Sequence, residues 1–126
     1  MIDLVIYGKP IGKARPRFGR NKHTGKVVTF TPQQTKNYEQ EIATTAQCAM
    51  FGKTMFEGPV KVTIKAFFEH KTKTGWHTSR PDLDNIVKAV LDGLNGVVFA
   101  DDAVVAQLVA SKEYGEERVE VQVENV

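Results

Sequence analysis

The sequence lacks most of the patterns on which disulfide frameworks, zinc sites and membrane spans depend. It contains a single cysteine, Cys48, so it cannot form an internal disulfide, and no Cys/His spacing resembles a zinc site. The three histidines show no metal-ligand spacing among themselves, which favours surface roles for His23, His70 and His77. No apolar run approaches the roughly 18 residues of a membrane span, and the N-terminus does not resemble a secretory signal. We therefore expect a cytoplasmic protein without membrane contact.

Negative charge is absent from one long stretch near the N-terminus. Leu4 to Tyr38 contain eight lysines and arginines and no acidic residue. Within this stretch, residues 8–26 hold four glycines and two prolines, which predicts a loop rather than a helix face. A basic loop of this length, called the basic arm below, is typical of a polyanion-binding segment, and a merely solvated loop is the alternative.

We expect the basic arm to contact a nucleic-acid backbone, together with a second polar loop, "KTKTGWHTSR". The second loop also carries Trp76, which could stack on an exposed base or, equally, pack on the edge of the core. Phe18 in the arm invites the same two interpretations. The basic residues expected to bind nucleic acid are Lys9, Lys13, Arg15, Arg17, Arg20, Lys22 and Lys26 in the arm and Lys71, Lys73 and Arg80 in the loop.

Length and hydrophobic periodicity predict one domain over residues 1–126, with a mixed sheet and two helices. Alternation predicts strands in "MIDLVIYG", "PVKVTIKAFFEH" and "RVEVQVE", whereas "AVVAQLVAS" is apolar on both faces and predicts a central strand. Helical spacing predicts a first helix from a Thr31 cap, with Pro32 at its first helical position. A second helix is predicted from Asp84 to Leu94. The expected order is β-α-β-α-β-β.

Five of the six aspartates lie in one segment, "RPDLDNIVKAVLDGLNGVVFADDAVV". If the chain before the second helix is extended, Asp82 and Asp84 lie about 6.6 Å apart on one side of it. Lys88 then falls one helical turn beyond Asp84. The chain after the second helix is long enough to return to the helix start, where one of the adjacent residues Asp101 and Asp102 could join the first pair.

A cluster of three carboxylates requires a cation. Two ionised carboxylates about 4 Å apart repel by roughly 4 kcal/mol at an effective dielectric constant of about 20. This repulsion exceeds the stabilisation of about 1 kcal/mol that a helix N-cap contributes. Carboxylate oxygen is the ligand that Mg²⁺ or Mn²⁺ prefers, and no organic cofactor is indicated. In the alternative interpretation, Asp82 or Asp84 caps the helix, Lys88 pairs with Asp84 or Asp92, and the Asp101 and Asp102 pair forms a polar turn.

A carboxylate site beside a basic arm points to metal-assisted hydrolysis of a phosphodiester. The metal would activate a water and neutralise charge on the phosphate, while Lys88 would stabilise the developing oxyanion or orient the water. A non-enzymatic nucleic-acid-binding module, with the aspartates as caps and turn residues, is an alternative of a different class. An RNA nuclease would share the chemistry and differ only in substrate.

The acidic segment strongly resembles the signature of the RusA family of Holliday junction resolvases, a DxDN-xx-K stretch followed by a hydrophobic helix and a DD pair. "GKPIGKARPRF" and "YEQEI" are similar to phage-type members, so the resemblance covers nearly the whole chain. It implies an α+β fold, Mg²⁺ or Mn²⁺ dependence, and paired nicks in opposing strands of a four-way DNA junction, during DNA recombination and repair. The catalytic residues that it implies are Asp82, Asp84, Asp102 and Lys88, with the three aspartates as metal ligands.

The resemblance also implies a homodimer, and symmetry favours the same stoichiometry. Two cuts related by an approximate two-fold axis require two sites, whereas one chain supplies one set of aspartates and one Lys88. A C2 dimer presents two identical sites and joins two basic arms. Surplus apolar surface at Phe67, or at Phe51 and Phe56, is the expected interface.

Overall fold

The computed structural model describes residues 1–14, Gly25 and residues 32–126, and the backbone alone of residues 17–20 and 27–30. Several residues singled out above therefore lie outside the described part of the chain, namely Arg15, Lys22, His23, Lys26 and Thr31. The side chains of Arg17, Phe18 and Arg20 lie outside it as well.

The fold is α+β, with two helices and a four-stranded mixed sheet, as predicted. The sheet order is β1-β6-β4-β5, in which β4 and β5 are parallel and the other neighbours antiparallel. A short 3-10 turn at Asp102–Val104 precedes β5. The elements are β1 (Ile2–Tyr7), β2 (Arg17–Arg20), β3 (Val27–Phe30), α1 (Gln33–Ala49), β4 (Val60–Phe68), α2 (Leu83–Leu94), β5 (Val105–Tyr114) and β6 (Arg118–Asn125).

The core lies between one face of the sheet and the two helices. Alternate residues of β1, β4 and β6 point into it, as their period of two predicts. Helix α1 contributes side chains at helical spacing, and α2 packs against α1 and β5. Examples of fully buried side chains are Ile6, Ile42, Ile64, Ile86, Val90, Leu94 and Val119.

Three expectations about the elements need correction. Residues 17–20 form a strand that pairs with β3 in a separate antiparallel ribbon, so the basic arm is not loop throughout. Pro32 is the N-cap of α1 rather than its first helical residue, a difference of one position. β5 is an edge strand, not a central one, and Leu108 and Val109 on it are 46% and 51% exposed.

The sheet topology determines where the acidic segment lies. Because β4 and β5 are parallel, their connection must cross over, and α2 is the crossover helix. Phe68 at the end of β4 pairs with Tyr114 at the end of β5, so the loop that leads into α2 starts at the carboxyl ends of both strands. Ligand sites of open α/β sheets favour this position.

Among the described residues, no helix has the length and apolar character needed to cross a lipid bilayer.

Candidate active site

Asp82 and Asp84 lie at the start of α2. Asp82 occupies the N-cap position in an extended conformation, but its side chain makes no capping hydrogen bond. The Oδ1 atom of Asp84 accepts a hydrogen bond from the Asn85 backbone N–H at 3.0 Å. Both side chains are exposed, and the positive end of the helix dipole favours their charge. The predicted alternative in which a side chain caps this helix is not what the structure shows for Asp82.

The two later aspartates have different surroundings. Asp101 is the N-cap of the 3-10 turn, and its Oδ2 atom accepts a hydrogen bond from the Ala103 backbone N–H at 3.3 Å. Asp102 is the first residue of the turn, which contacts α2. Asp101 therefore has a structural role in the turn, whereas no hydrogen bond within the described residues engages the Asp102 carboxylate.

The structure does not gather the three predicted ligands into one compact cluster. In residues 1–14 and 32–126, no group of three or more His, Cys, Asp or Glu side chains is placed to hold a single metal ion. The donor chemistry nevertheless fits a hard divalent cation, since Asp82, Asp84 and Asp102 form no ion pair with the described lysines and arginines. Of the three, Asp84 accepts one backbone hydrogen bond, from the Asn85 N–H, and metal ligation by all three stays a prediction.

Lys88 belongs to a chain of ion pairs. Its Nζ atom lies 3.2 Å from Oδ1 of Asp92, the residue one turn later on α2. The other oxygen of Asp92, Oδ2, lies 3.0 Å from Nζ of Lys13, which in turn lies 2.6 Å from Oε1 of Glu39 on α1. Burial alone would lower the pKa of Lys13, but hydrogen bonds to Glu39 and Asp92 outweigh it and raise the pKa above its ordinary value.

The same ion pairs fasten the start of the basic arm to α2. The Lys13 backbone N–H donates to the Asn85 carbonyl at 2.8 Å. At Gly12 the arm comes so close that a Cβ atom there would lie 2.9 Å from Cβ of Pro81 and 3.1 Å from Cβ of Asn85. Sequence analysis predicts that Lys13 contacts phosphate, whereas in the structure its ammonium is ion-paired with the carboxylates of Glu39 and Asp92. The arm begins directly against the acidic end of α2.

Lys112 positions the chain just before Asp82, a role that sequence analysis missed. Its Nζ atom donates to the Ser79 carbonyl at 2.7 Å and to the Pro81 carbonyl at 2.8 Å. Its place in a strand that is mostly apolar up to Ala110 is only a weak signal for such a role, because its partners are distant in sequence. The peptide bond between Arg80 and Pro81 is cis.

The histidines divide into one exposed and one buried residue in the described part of the chain. His70 is exposed, and its Nδ1 atom accepts hydrogen bonds from two backbone N–H groups. His77 is buried and stacks on Phe68, with ring centroids 3.9 Å apart, so the expectation of a surface role was wrong for it. Burial lowers the pKa of His77, and the charges of Lys112 and Lys73 lower it further. The polar loop is therefore anchored by an aromatic contact that its sequence concealed.

The remaining predicted DNA-binding residues within the described part of the chain are available at the surface. Trp76 is 70% exposed, so it is not packed on the core as one interpretation had it. A shallow, mainly apolar groove lies beside the candidate catalytic Asp84, between α2 and β5. The exposed basic side chains are Lys9, Lys71, Lys73 and Arg80.

Comparison with known proteins assigns the chain to a family. The family model for the endodeoxyribonuclease RusA matches residues 7–124. An uncharacterized protein of Bacillus subtilis (strain 168), YqaN, is 34% identical, and the match covers 99% of this chain and 96% of that protein. A protein of Lactococcus phage r1t named crossover junction endodeoxyribonuclease rusA is 30% identical over 86% of each chain. Since the family model spans both helices and all the candidate site residues, the chain belongs to the RusA endodeoxyribonuclease family and is a nuclease.

Proposed function

We propose that this nuclease is a metal-dependent resolvase that cuts Holliday junctions by paired nicks in opposing strands, in DNA recombination and repair. The observation that carries the proposal is the arrangement at the start of α2. Two exposed carboxylates, Asp82 and Asp84, lie at the start of the crossover helix that connects the parallel strands, with Lys88 one turn further on. The phage relative named as a crossover junction endodeoxyribonuclease supports the choice of substrate.

Asp82, Asp84 and Asp102 are the proposed ligands of Mg²⁺ or Mn²⁺, and no organic cofactor is needed. When bound, the metal would supply an activated water and charge neutralisation at the phosphate. The ammonium of Lys88 stabilises the oxyanion that develops on the phosphate, because its side chain is 58% exposed and can reach substrate. Asp101 remains with its turn and acts as a support for Asp102.

The DNA backbone is proposed to follow the basic surface on either side of α2. The described start of the basic arm bonds to Asn85, and the polar loop ends in Arg80, so each basic segment has one end next to the two carboxylates. We propose that the exposed Trp76 stacks on a base at the junction. Phosphate contacts of this kind position the substrate without reading its sequence.

Cleavage of a synthetic four-way junction, run beside a linear duplex of the same sequence, tests the proposal. With Mg²⁺ we expect symmetric nicks in opposing strands of the junction and little cleavage of the duplex, and without metal no cleavage of either. Binding without cleavage at any metal concentration would favour the non-enzymatic module. An RNA duplex serves as the control for an RNA nuclease, and preferential cleavage of that duplex would contradict the proposal.

The proposed function also requires two sites, and we propose a C2 homodimer. Only a junction engages both halves at once, so it gains effective concentration from the second contact. Of the aromatic candidates, Phe51 is 91% exposed, whereas Phe56 packs against the core and Phe67 carries the guanidinium of Arg118 over its ring at 4.0 Å. Phe51 therefore offers the most free apolar surface of the three.

Light scattering at micromolar concentration is expected to report twice the 14.0 kDa mass of the chain. Phe51→Ser should shift this mass toward the monomer if the side chain belongs to the interface. A chain that stays monomeric even when bound to a four-way junction would contradict the paired-nick mechanism.

A further inference from the structure

We propose that Asp92 is a positioning residue for Lys88, and that Lys13 of the basic arm holds Asp92 in place. This inference rests on the proposed role of Lys88 in cleavage, and it assigns a function to the ion-pair chain that connects α1, the arm and α2. Asp92 binds one lysine through each of its oxygens, Lys88 through Oδ1 and Lys13 through Oδ2.

The exposed fractions of the four charged side chains show which of these ion-paired groups are held in place. The side chains of Lys13, Glu39 and Asp92 are 22%, 22% and 19% exposed, whereas that of Lys88 is 58% exposed. Lys13, Glu39 and Asp92 thus form a sheltered ion-pair cluster, and the side chain of Lys88 projects from this cluster into solvent. A lysine side chain that is already ion-paired with a fixed cluster loses less conformational entropy when it contacts the phosphate than an unpaired lysine would.

The Lys88–Asp92 pair has little to contribute to the helix itself. A pair in which the basic residue precedes the acidic one by four positions is the less favourable orientation on a helix, and helical pairs at this spacing contribute only about 0.2–0.5 kcal/mol. Lys13, which is distant in sequence, forms a second ion pair with the other oxygen of Asp92 and so restricts the orientation of this carboxylate. The arrangement therefore makes more sense as a means of orienting Lys88 than as a helix-stabilising pair.

The anchoring of the arm adds a physical link between DNA binding and the reactive lysine. The arm is fixed to α2 by the Lys13 backbone as well as by its ammonium, since Lys13 N–H donates to the Asn85 carbonyl at 2.8 Å. Asn85 is the residue after Asp84. Lys13 thus belongs both to the ion-pair cluster that orients Lys88 and to the start of the basic arm. Its backbone contact at Asn85 lies next to the candidate metal ligand Asp84.

A double-mutant cycle tests the inference. Asp92→Asn keeps the shape of the side chain and removes its charge. We expect it to lower kcat for junction cleavage about tenfold, the lower end of the range for partners that orient catalytic groups, with KM changed less than twofold. In a Lys88→Ala background the same substitution should have no further effect on kcat, because there is no lysine left to position.

Glu120→Gln is the matched control, because it breaks the Arg118–Glu120 ion pair (2.8 Å) on the sheet and should leave kcat unchanged. Lys13→Gln is a second variant that leaves Asp92 intact. We expect it also to lower kcat in the wild-type background and not in the Lys88→Ala background. Thermal unfolding of every variant identifies any that fails to fold.

A direct readout comes from the side-chain ammonium signals of ¹⁵N-labelled lysines. The Lys88 signal, assigned by its absence in Lys88→Ala, should shift or broaden in Asp92→Asn without metal or DNA present. An equal loss of kcat in both backgrounds, or an unchanged Lys88 signal, would overturn the positioning role while leaving the nuclease proposal intact. A Lys88→Ala enzyme that cleaves at the wild-type rate would instead overturn the proposed role of Lys88 and this inference with it.

Discussion

Asparagine in place of Asp82, Asp84 or Asp102 is expected to remove most junction cleavage while leaving junction binding unchanged or tighter. Each substitution removes a charged metal ligand and, with it, repulsion of the phosphates. Metal polarisation of a phosphoryl oxygen is worth several kcal/mol, so we expect the cleavage rate to fall by about 100-fold or more. Single-turnover cleavage with Mg²⁺ measures the rate, and gel shifts without metal measure binding.

Asp101→Asn is the control for this series, because it changes the neighbouring residue in the same way. Its carboxylate accepts the Ala103 N–H, and the amide oxygen of asparagine can accept the same hydrogen bond, so the substitution should preserve the turn and have a smaller effect on the rate. The exposed positions of Asp82 and Asp84 predict little change in thermal stability. Near-wild-type cleavage by all three single variants would rule out these aspartates as the metal site.

Alanine in place of Gly93 is expected to be strongly destabilising, because this glycine lies where α2 crosses α1. A Cβ atom at Gly93 would lie 2.6 Å from Cγ2 and 2.7 Å from Cβ of Ile42, and 3.1 Å from the Glu39 carbonyl oxygen. Neither the Ile42 Cβ nor the backbone oxygen can move without moving α1. Overpacking of this kind costs about 1–3 kcal/mol, and the severity of the overlap should outweigh the roughly 1 kcal/mol by which alanine favours a helix.

We expect Gly93→Ala to lower the free energy of unfolding by about 2 kcal/mol, which corresponds to a fall in Tm on the order of 10 °C. Gly58→Ala is the matched control, since a Cβ there would meet nothing within 4 Å. Combined with Ile42→Ala, the substitution should cost less than the sum of the two single changes, because removing the Ile42 side chain relieves part of the overlap. A Gly93→Ala protein as stable as wild type would show that the two helices can separate freely.

Helix α1 also carries Glu39, whose carbonyl adjoins Gly93 and whose carboxylate holds Lys13. A shift of α1 away from α2 would therefore disturb the ion-pair chain that ends at Lys88. For this reason we expect Gly93→Ala to reduce cleavage even at temperatures where the variant remains folded. Comparison of its residual activity with that of Asp92→Asn, at a temperature well below both melting transitions, would measure this coupling.

Sequence alone determined the features that depend on neighbouring residues. The period of two along β1, β4 and β6 and the helical spacing in α1 and α2 each select a buried face, so the class of fold and the order of the main elements were predicted correctly. The boundaries of α2 were predicted to within one residue, which placed Asp82 and Asp84 at its start. The DxDN-xx-K stretch and the later DD pair also pointed to the correct family.

Only the tertiary structure decided the features that depend on contacts between distant segments. A strand that is apolar on both faces can be central or at an edge, and the position of β5 follows from the sheet order rather than from its own residues. His77 stacks on Phe68, and Lys112 donates hydrogen bonds to the backbone just before Asp82. Both contacts require the polar loop to fold back on the end of the sheet. The pairing of Lys13 with Asp92 likewise requires α1, α2 and the arm to meet, because long-range ion pairs are set by how elements pack, whereas periodicity is set by the geometry of a single element.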